Sequence, residues 1–199
     1  MSIIKAKLNA TMLDLLKKTV GEQLICVLQT EKEGSSISYG MVGLCFESRN
    51  IEIQNQEQPD NPDGPEGICA LSVLDRKKAE IKSPFLKGTD AKGNPVDVSL
   101  VRRGIAQTIT QVEVITDHVF CRDASGKEKF QFFNDRAIIF HLNSGCLSIE
   151  KNAYWSEWLS VNYTPGNIPQ LCEHPEDGWD EPPEGESVQY KVMREKRML

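Results

Sequence analysis

The chain has no long apolar segment. None of its apolar runs approaches the roughly 20 residues that a helix needs to span a bilayer. Residues 1–23 hold neither an uninterrupted apolar stretch nor the small-residue cleavage site of a secretory signal. We therefore expect a cytoplasmic protein that does not associate with membranes.

Motifs that carry chemistry are also missing. The sequence has no CxxC or HExxH pattern for zinc, no GxxxxGK[ST] or GxGxxG pattern for nucleotides, and no GxSxG nucleophile turn. Acidic residues are plentiful, but nothing selects a catalytic pair among them. The sequence predicts no metal, no cofactor and no catalytic residue, and we expect a protein that is not an enzyme.

Positive charge is in short supply. The chain carries 23 Lys and Arg against 29 Asp and Glu, for a net charge of −6 at pH 7. Such a protein is repelled by nucleic acid and by anionic lipid. We expect it to bind neither, and to favour a basic protein partner.

No clustering of cysteines is evident. The six cysteines are spread widely, and Cys26 and Cys45 lie inside apolar runs of strand length. Three disulfides are the alternative, but the spacing favours free thiols in a reducing compartment. The six are Cys26, Cys45, Cys69, Cys121, Cys146 and Cys172.

What the chain does have is alternation of apolar and polar residues between Gln111 and Tyr163, broken by turn residues. Residues 123–127 (DASGK) form one turn signal. Asn143-Ser144-Gly145 forms another, and it predicts a three-residue hairpin connection with Gly145 in the left-handed conformation. This pattern predicts an antiparallel β-meander.

The first part of the chain adds a helix and further strands. Leu8, Met12, Leu15 and Leu16 recur at helical spacing, with Asn9 or Thr11 as the N-cap and Gly21 as the stop. Apolar runs then predict strands at 24–28, 42–46 and 68–74. Ile51 and Ile53 alternate with Glu52 and Gln54, which predicts a half-exposed strand. Extended segments are expected at 96–101 and 105–109.

These elements predict a mainly β fold, an antiparallel barrel or two-sheet sandwich with a short N-terminal helix. Residues 1–165 form the β domain in this interpretation. Residues 166–199 form an acidic, Pro-rich extension docked on it. Alternation at Val188, Tyr190 and Val192 predicts an edge strand at 188–193, and the basic ending that follows could fold back through exposed ion pairs of little energetic weight.

Two groupings resemble reactive sites. Cys146 and His141 face each other if the hairpin forms, but no third group orients them, so His141 is interpreted as a sheet residue. Cys172-Glu173-His174 lacks the paired spacing of a zinc site. Neither grouping is expected to carry chemistry.

The aromatic and acidic segments are the expected binding surface. Trp155 and Trp158 either pack at the rim of the fold or anchor a partner, and Trp179 lies in an acidic arm. Loop 57–67 and arm 173–186 carry eleven acids and no Lys or Arg. The predicted partner-binding residues are Glu57, Asp60, Asp63, Glu66, Trp155, Trp158, Glu176, Asp177, Trp179, Asp180 and Glu181.

The function expected from these features is a non-enzymatic protein-binding module. By its bulk properties it resembles the bacterial immunity proteins that neutralise a basic toxin, a likeness of class that rests on no motif. The alternative is a β-barrel carrier or enzyme with an apolar pocket lined by residues such as Phe140 and Trp155. A third hypothesis is an adaptor that pairs strands through its edge at 188–193. A monomer or a weak homodimer is expected.

Overall fold

The computed structural model is mainly β, as predicted. It describes residues 2–30, 36–58, 67–77, 79, 81, 87–89, 95–97, 100–166, 168–173 and 188–199. The elements are β1 (Ser2–Ala6), α1 (Ala10–Lys17), β2 (Gln23–Gln29), β3 (Ile37–Tyr39), β4 (Met41–Phe46), β5 (Asn50–Glu57), β6 (Cys69–Lys77), β7 (Lys87–Thr89), β8 (Pro95–Asp97), β9 (Val101–Asp123), β10 (Glu128–Leu142), β11 (Gly145–Lys151), β12 (Trp158–Pro165) and β13 (Val188–Met198).

Eleven of the strands form one sheet. Its main path runs β3-β12-β11-β10-β9-β2-β4-β5-β6, with β1 added to β10 and β13 added to β9. The pairs are antiparallel except β1 with β10, which is parallel. In the described residues this path does not close on itself. Side chains of β4, β5 and β6 meet those of β10, β11 and β12 in one core, so the two halves of the sheet enclose it like a sandwich.

Strand β9 connects the two halves. The segments expected at 105–109 and from Gln111 onward belong to one strand of 23 residues. The segment expected at 96–101 contributes only Val101 to this strand, and its residues 96 and 97 belong to β8. β2 pairs with residues 101–108, and β10 pairs with residues 109–122. Ala106 has a positive φ of 54° opposite a register shift in β2, which marks a bulge rather than a strand end. The predicted meander β9-β10-β11-β12 is confirmed.

The predicted helix is also confirmed. Asn9 is its N-cap, and its side-chain oxygen accepts a hydrogen bond from the Met12 N–H at 3.0 Å. Leu16 is fully buried in the main core, and Gly21 has the positive φ expected of a stop. Among the described residues no helix is long and apolar enough to cross a membrane.

Strand β5 departs from the prediction. Glu52 and Gln54 were expected on an exposed face, but they are 1% and 8% exposed. Gly43 is the cross-strand neighbour of Glu52, and a Cβ on Gly43 would lie only 2.9 Å from the buried Ile81. The chain beyond β6 therefore covers this face. The Glu52 carboxylate is compensated by the Arg76 guanidinium at 2.6 Å.

The β10–β11 turn differs from the prediction in its chemistry. Leu142 pairs with Gly145, so the connection has two residues and Gly145 belongs to the strand, without a positive φ. Gly145 is needed for space instead. A Cβ there would lie 2.6 Å from the Thr164 carbonyl oxygen and 3.2 Å from the Tyr163 hydroxyl.

Replacing Gly145 with alanine is therefore expected to destabilise the fold by about 1–3 kcal/mol, because the backbone of β12 must move away. The matched control is Gly104→Ala, since a Cβ on Gly104 of β9 meets nothing within 4 Å. Urea unfolding followed by circular dichroism measures both variants. Equal midpoints for the two would contradict the close approach of β11 and β12.

The described parts of the extension lie on the sheet. The predicted edge strand exists, runs to Met198, and pairs with residues 113–123 of β9. Residues 168–173 cross the outer face of β11 and β12, where the Gln170 carbonyl accepts a bond from Ser148 and the Ile168 carbonyl accepts one from Thr164. The division of the chain at residue 165 stays a prediction.

The six cysteines are free, as predicted. Cys26 and Cys45 are cross-strand neighbours in β2 and β4. Burial, followed by a hydrogen bond with Cys26, raises the pKa of the Cys45 thiol to about 12. Cys172 is exposed, Cys45 is half-buried and the other four are buried.

Candidate functional site

The clearest exposed apolar feature near the predicted binding residues lies where β3 meets β12. Trp158 packs edge-on against Tyr39, with ring centroids 4.9 Å apart. Even so, Trp158 remains 37% exposed, and Ile37 beside it is 38% exposed. We call Ile37, Tyr39 and Trp158 the aromatic rim. The contact between the two rings holds the Trp158 side chain against β3.

The loop that precedes Trp158 is held from three directions. The Asn55 side-chain amide donates to the Ser156 carbonyl at 2.8 Å, and the Gly40 N–H donates to the Glu157 carbonyl at 3.1 Å. The Cys69 N–H donates to the Tyr154 carbonyl at 3.0 Å. The loop before Trp158 is therefore held by β5, by β6 and by the residue that joins β3 to β4.

Carboxylates flank the aromatic rim. The Tyr39 hydroxyl donates to the Glu157 carboxylate, and this bond is the main reason that the pKa of Tyr39 is raised. Burial is the main reason that the pKa of the Cys69 thiol is raised to about 11; the charge of Lys151 opposes this shift, and the charges of Glu157 and Glu57 add to it. The two glutamates therefore lie around the same buried thiol, on the side of the molecule that carries Trp158.

The structure describes three of the predicted partner-binding residues. Glu57 is exposed at the end of β5, and Trp158 is exposed on β12. Trp155 is partly buried against the second core cluster, which contains Phe132 and Tyr154. The other predicted residues lie outside the described residues: Asp60, Asp63, Glu66, Glu176, Asp177, Trp179, Asp180 and Glu181.

The backbone edge of β3 is already occupied. The Tyr39 N–H donates to the Thr30 hydroxyl at 2.6 Å, and the Ile37 carbonyl accepts from the Gln29 amide at 3.5 Å. Side chains thus satisfy the groups that an added strand would need. What the aromatic rim presents to solvent is therefore its side chains.

A polar cleft continues the outer face of β12. Trp158, Ser160 and Asn162 alternate with the buried Leu159 and Val161, so all three point outward. The cleft has a volume of about 280 Å³. Its lining includes Arg136, Glu150, Asn152, Ser160, Asn162 and Gln170. The cleft offers amide and hydroxyl groups within about 7–14 Å of Trp158 along the strand.

Arg136 lies buried at the base of this cleft. It occupies a bulge of β10, between Asp135 and Ala137. Its Nη2 donates to the Asn152 carbonyl at 2.9 Å, its Nε lies 3.5 Å from the Glu150 carboxylate, and its guanidinium lies 4.7 Å from the ring centroid of Tyr154. A carbonyl, a carboxylate and an aromatic face thus surround this cation, while its Nε and Nη1 are buried without a hydrogen bond among the described residues.

A second buried ion pair joins the C-terminal strand to this region. Asp117 is fully buried, and Arg194 of β13 binds it with two bonds of 2.7 and 2.9 Å. Tyr154 donates a third bond at 3.0 Å, and burial raises the pKa of the tyrosine. The sequence predicted exposed and weak ion pairs for the basic ending. That was wrong for Arg194, because Asp117 has no access to water.

Lys151 is another buried cation. Its ammonium donates to the Cys69 carbonyl and to the Asn134 side chain at 2.9 Å. Burial, and secondarily the charge of Arg136, lower the pKa of Lys151 to about 7. The sequence pattern missed Arg136, Asp117 and Lys151 because an isolated charge in a strand looks like a solvated position.

The remaining candidates from the sequence lie elsewhere. His141 and Cys146 are cross-strand neighbours, as expected, but His141 bonds Glu113 at 3.0 Å and Cys146 bonds Thr164 at 3.0 Å. Phe140 is fully buried in the main core, in a different cluster from Trp155. No metal-binding group of three His, Cys, Asp or Glu occurs in the described residues. His174 lies outside them.

Comparisons of the chain with protein-family models, with curated proteins and with solved structures find no match. Its function has to be inferred from the geometry of the aromatic rim and the polar cleft.

Proposed function

We propose that the protein is a non-enzymatic binding module that captures a basic protein partner on the aromatic rim. The observation that carries this proposal is Trp158, which is fixed against Tyr39 yet keeps 37% of its surface exposed. Interface anchors are typically aromatic side chains that are rigid before binding, because little conformational entropy is then lost.

Charge supports a basic partner. The chain carries a net charge of −6, Glu157 bonds Tyr39 of the aromatic rim, and Glu57 and Glu157 both lie near Cys69. Acids around an apolar anchor attract Lys and Arg side chains and speed the encounter with their owner. Asn152, Ser160 and Asn162 in the cleft would then hydrogen-bond polar groups of the partner next to the anchor. An immunity-type protein that neutralises a basic toxin or effector is one form of this proposal.

The free thiols bear on the compartment, and the position of Phe140 bears on the alternative function. Six free thiols fit a reducing compartment, so we place the protein in the cytoplasm. A carrier with an apolar pocket at Phe140 has less support, because Phe140 is packed within the main core and Trp155 belongs to another cluster.

Replacing Trp158 with alanine is expected to weaken capture of the partner about 30-fold, the effect of losing one interface anchor. The experiment immobilises the full chain, captures proteins from a lysate of the host, and quantifies them by mass spectrometry. Ile168→Ala is the matched control, because Ile168 is 82% exposed and lies outside the aromatic rim. Glu57→Lys should weaken the same capture in a salt-dependent way.

A basic protein retained by the wild type and by Ile168→Ala, and lost with Trp158→Ala, would support the proposal. If every captured protein binds the Trp158→Ala and wild-type chains equally, the aromatic rim is not the binding surface.

A further inference from the structure

Strand β13 has an edge that no other described strand covers. It is 11 residues long and contains no proline, and among the described residues it pairs only with β9. A long edge of this kind is a template for pairing with another chain, and proteins usually shorten, bulge or cover such edges. The outward side chains include Met193 and Met198, which are 46% and 49% exposed.

The backbone pairing with β9 fixes which groups point to the uncovered edge. The Leu199 N–H donates to the Val112 carbonyl at 2.9 Å, and the register runs without a shift through Val188 opposite Asp123. Odd-numbered residues of β13 therefore direct their N–H and C=O groups to β9. Even-numbered residues direct their N–H and C=O groups to the open edge. A second β13 strand can therefore form hydrogen bonds there only if each even-numbered residue lies opposite an even-numbered residue.

We propose that the occupant of this edge is β13 of a second copy of the chain, paired antiparallel about a two-fold axis at Met193. In this register Lys191 faces Glu195 of the second copy, and Glu195 faces its Lys191. Met193 faces Met193. All three side chains are exposed in the single chain.

The alternative registers are less favourable. A centre at Val192 places Lys191 opposite Met193 and forms no pair of opposite charge. A centre at Arg194 places Arg194 opposite itself and Lys191 opposite Arg197, which are like-charge contacts that destabilise a sheet. The register at Met193 has two opposite-charge pairs and no like-charge pair. Charge complementarity therefore selects it.

The geometry places the favourable pairs where side chains approach most closely. Residues with hydrogen bonds to the second copy are even-numbered, such as Val192 opposite Arg194. Lys191, Met193 and Glu195 then occupy non-hydrogen-bonded positions, where facing Cα atoms are only about 4.5 Å apart. A closed two-fold pair also covers the whole edge, so it stops at two copies. This dimer is independent of the partner surface at Trp158.

The test is sedimentation equilibrium of the full chain between about 1 and 100 µM, since dimerisation depends on concentration. We expect a monomer–dimer equilibrium in the wild type. Lys191→Glu or Glu195→Lys alone should weaken it about tenfold, because each change turns both charge pairs repulsive. The double change, Lys191→Glu with Glu195→Lys, restores complementarity and should return dimerisation to within about twofold of the wild type.

The matched control for the change in net charge is Lys7→Glu, at an exposed residue outside β13. A wild-type chain that remains monomeric at the highest concentration overturns the proposal. So does a dimer that responds to Lys191→Glu no more than to Lys7→Glu, or that the double change fails to restore. Circular dichroism of each variant reports that the fold is intact.

Discussion

Replacing Arg194 with alanine is expected to lower the free energy of unfolding by about 3–5 kcal/mol. The Asp117 carboxylate is fully buried and receives both of its short charged bonds from this one guanidinium. Without Arg194 the carboxylate keeps the Tyr154 hydroxyl but has no counter-ion of comparable geometry. An uncompensated buried charge costs far more than the loss of an exposed ion pair.

Urea unfolding at low protein concentration measures this loss, with Arg122→Ala as the matched control. Arg122 is an exposed arginine of β9, so its loss should change stability by no more than about 0.5 kcal/mol. The double change Asp117→Asn with Arg194→Met removes both charges and should recover much of the loss. Similar midpoints for Arg194→Ala and Arg122→Ala would mean that Asp117 is solvated.

Stability of the wild type is expected to rise by about 1.5 kcal/mol between pH 7 and 8.5, and Lys151→Met should abolish that rise. Lys151 is buried, and its pKa of about 7 lies below the value of 10.5 for an exposed lysine. Between these values the unfolded chain binds a proton that the folded chain has released. Raising the pH therefore favours the folded state in this window.

The pH window lies below the value at which exposed cysteines are half ionised. The pKa values of Cys45 and Cys69 are raised in the fold, so their contribution falls as the pH passes about 9, the value for an exposed thiol. Urea unfolding at four pH values gives the slope for the wild type, for Lys151→Met and for the control Lys7→Met. Equal slopes in all three proteins would show that Lys151 is protonated in the fold.

Alternation of apolar and polar residues predicted the strands of the main core well. Val112, Val114, Ile138 and Phe140 lie in the core as the period of two requires. The same rule could have found β1, since Ile4, Ala6 and Leu8 alternate with Lys5 and Lys7. That run is short and leads directly into a helix, so its pattern merged with the helical one.

The buried charges could not be predicted from the same pattern. Alternation indicates which residues share a face, but it does not say what covers that face. Glu150 and Asp117 are covered by residues 168–173 and by Arg194, which lie far along the chain. The aromatic rim was anticipated through Trp158, whereas its partners Ile37 and Tyr39 emerged only from the pairing of β3 with β12.

The pairing of β1 with β10 and of β13 with β9 also governs how the protein can fold. The Leu8 N–H donates to the Asp135 carboxylate, 127 positions later in the chain. Most contacts among the described residues join parts of the chain that are far apart in sequence, and such topologies fold in milliseconds to seconds rather than microseconds. During synthesis β9 and β10 leave the ribosome well before β13. The two strands therefore cannot complete their packing until β13, which carries the Arg194 counter-ion of Asp117, has been made. Folding of this half of the sheet is therefore expected to finish only after Arg194 has emerged.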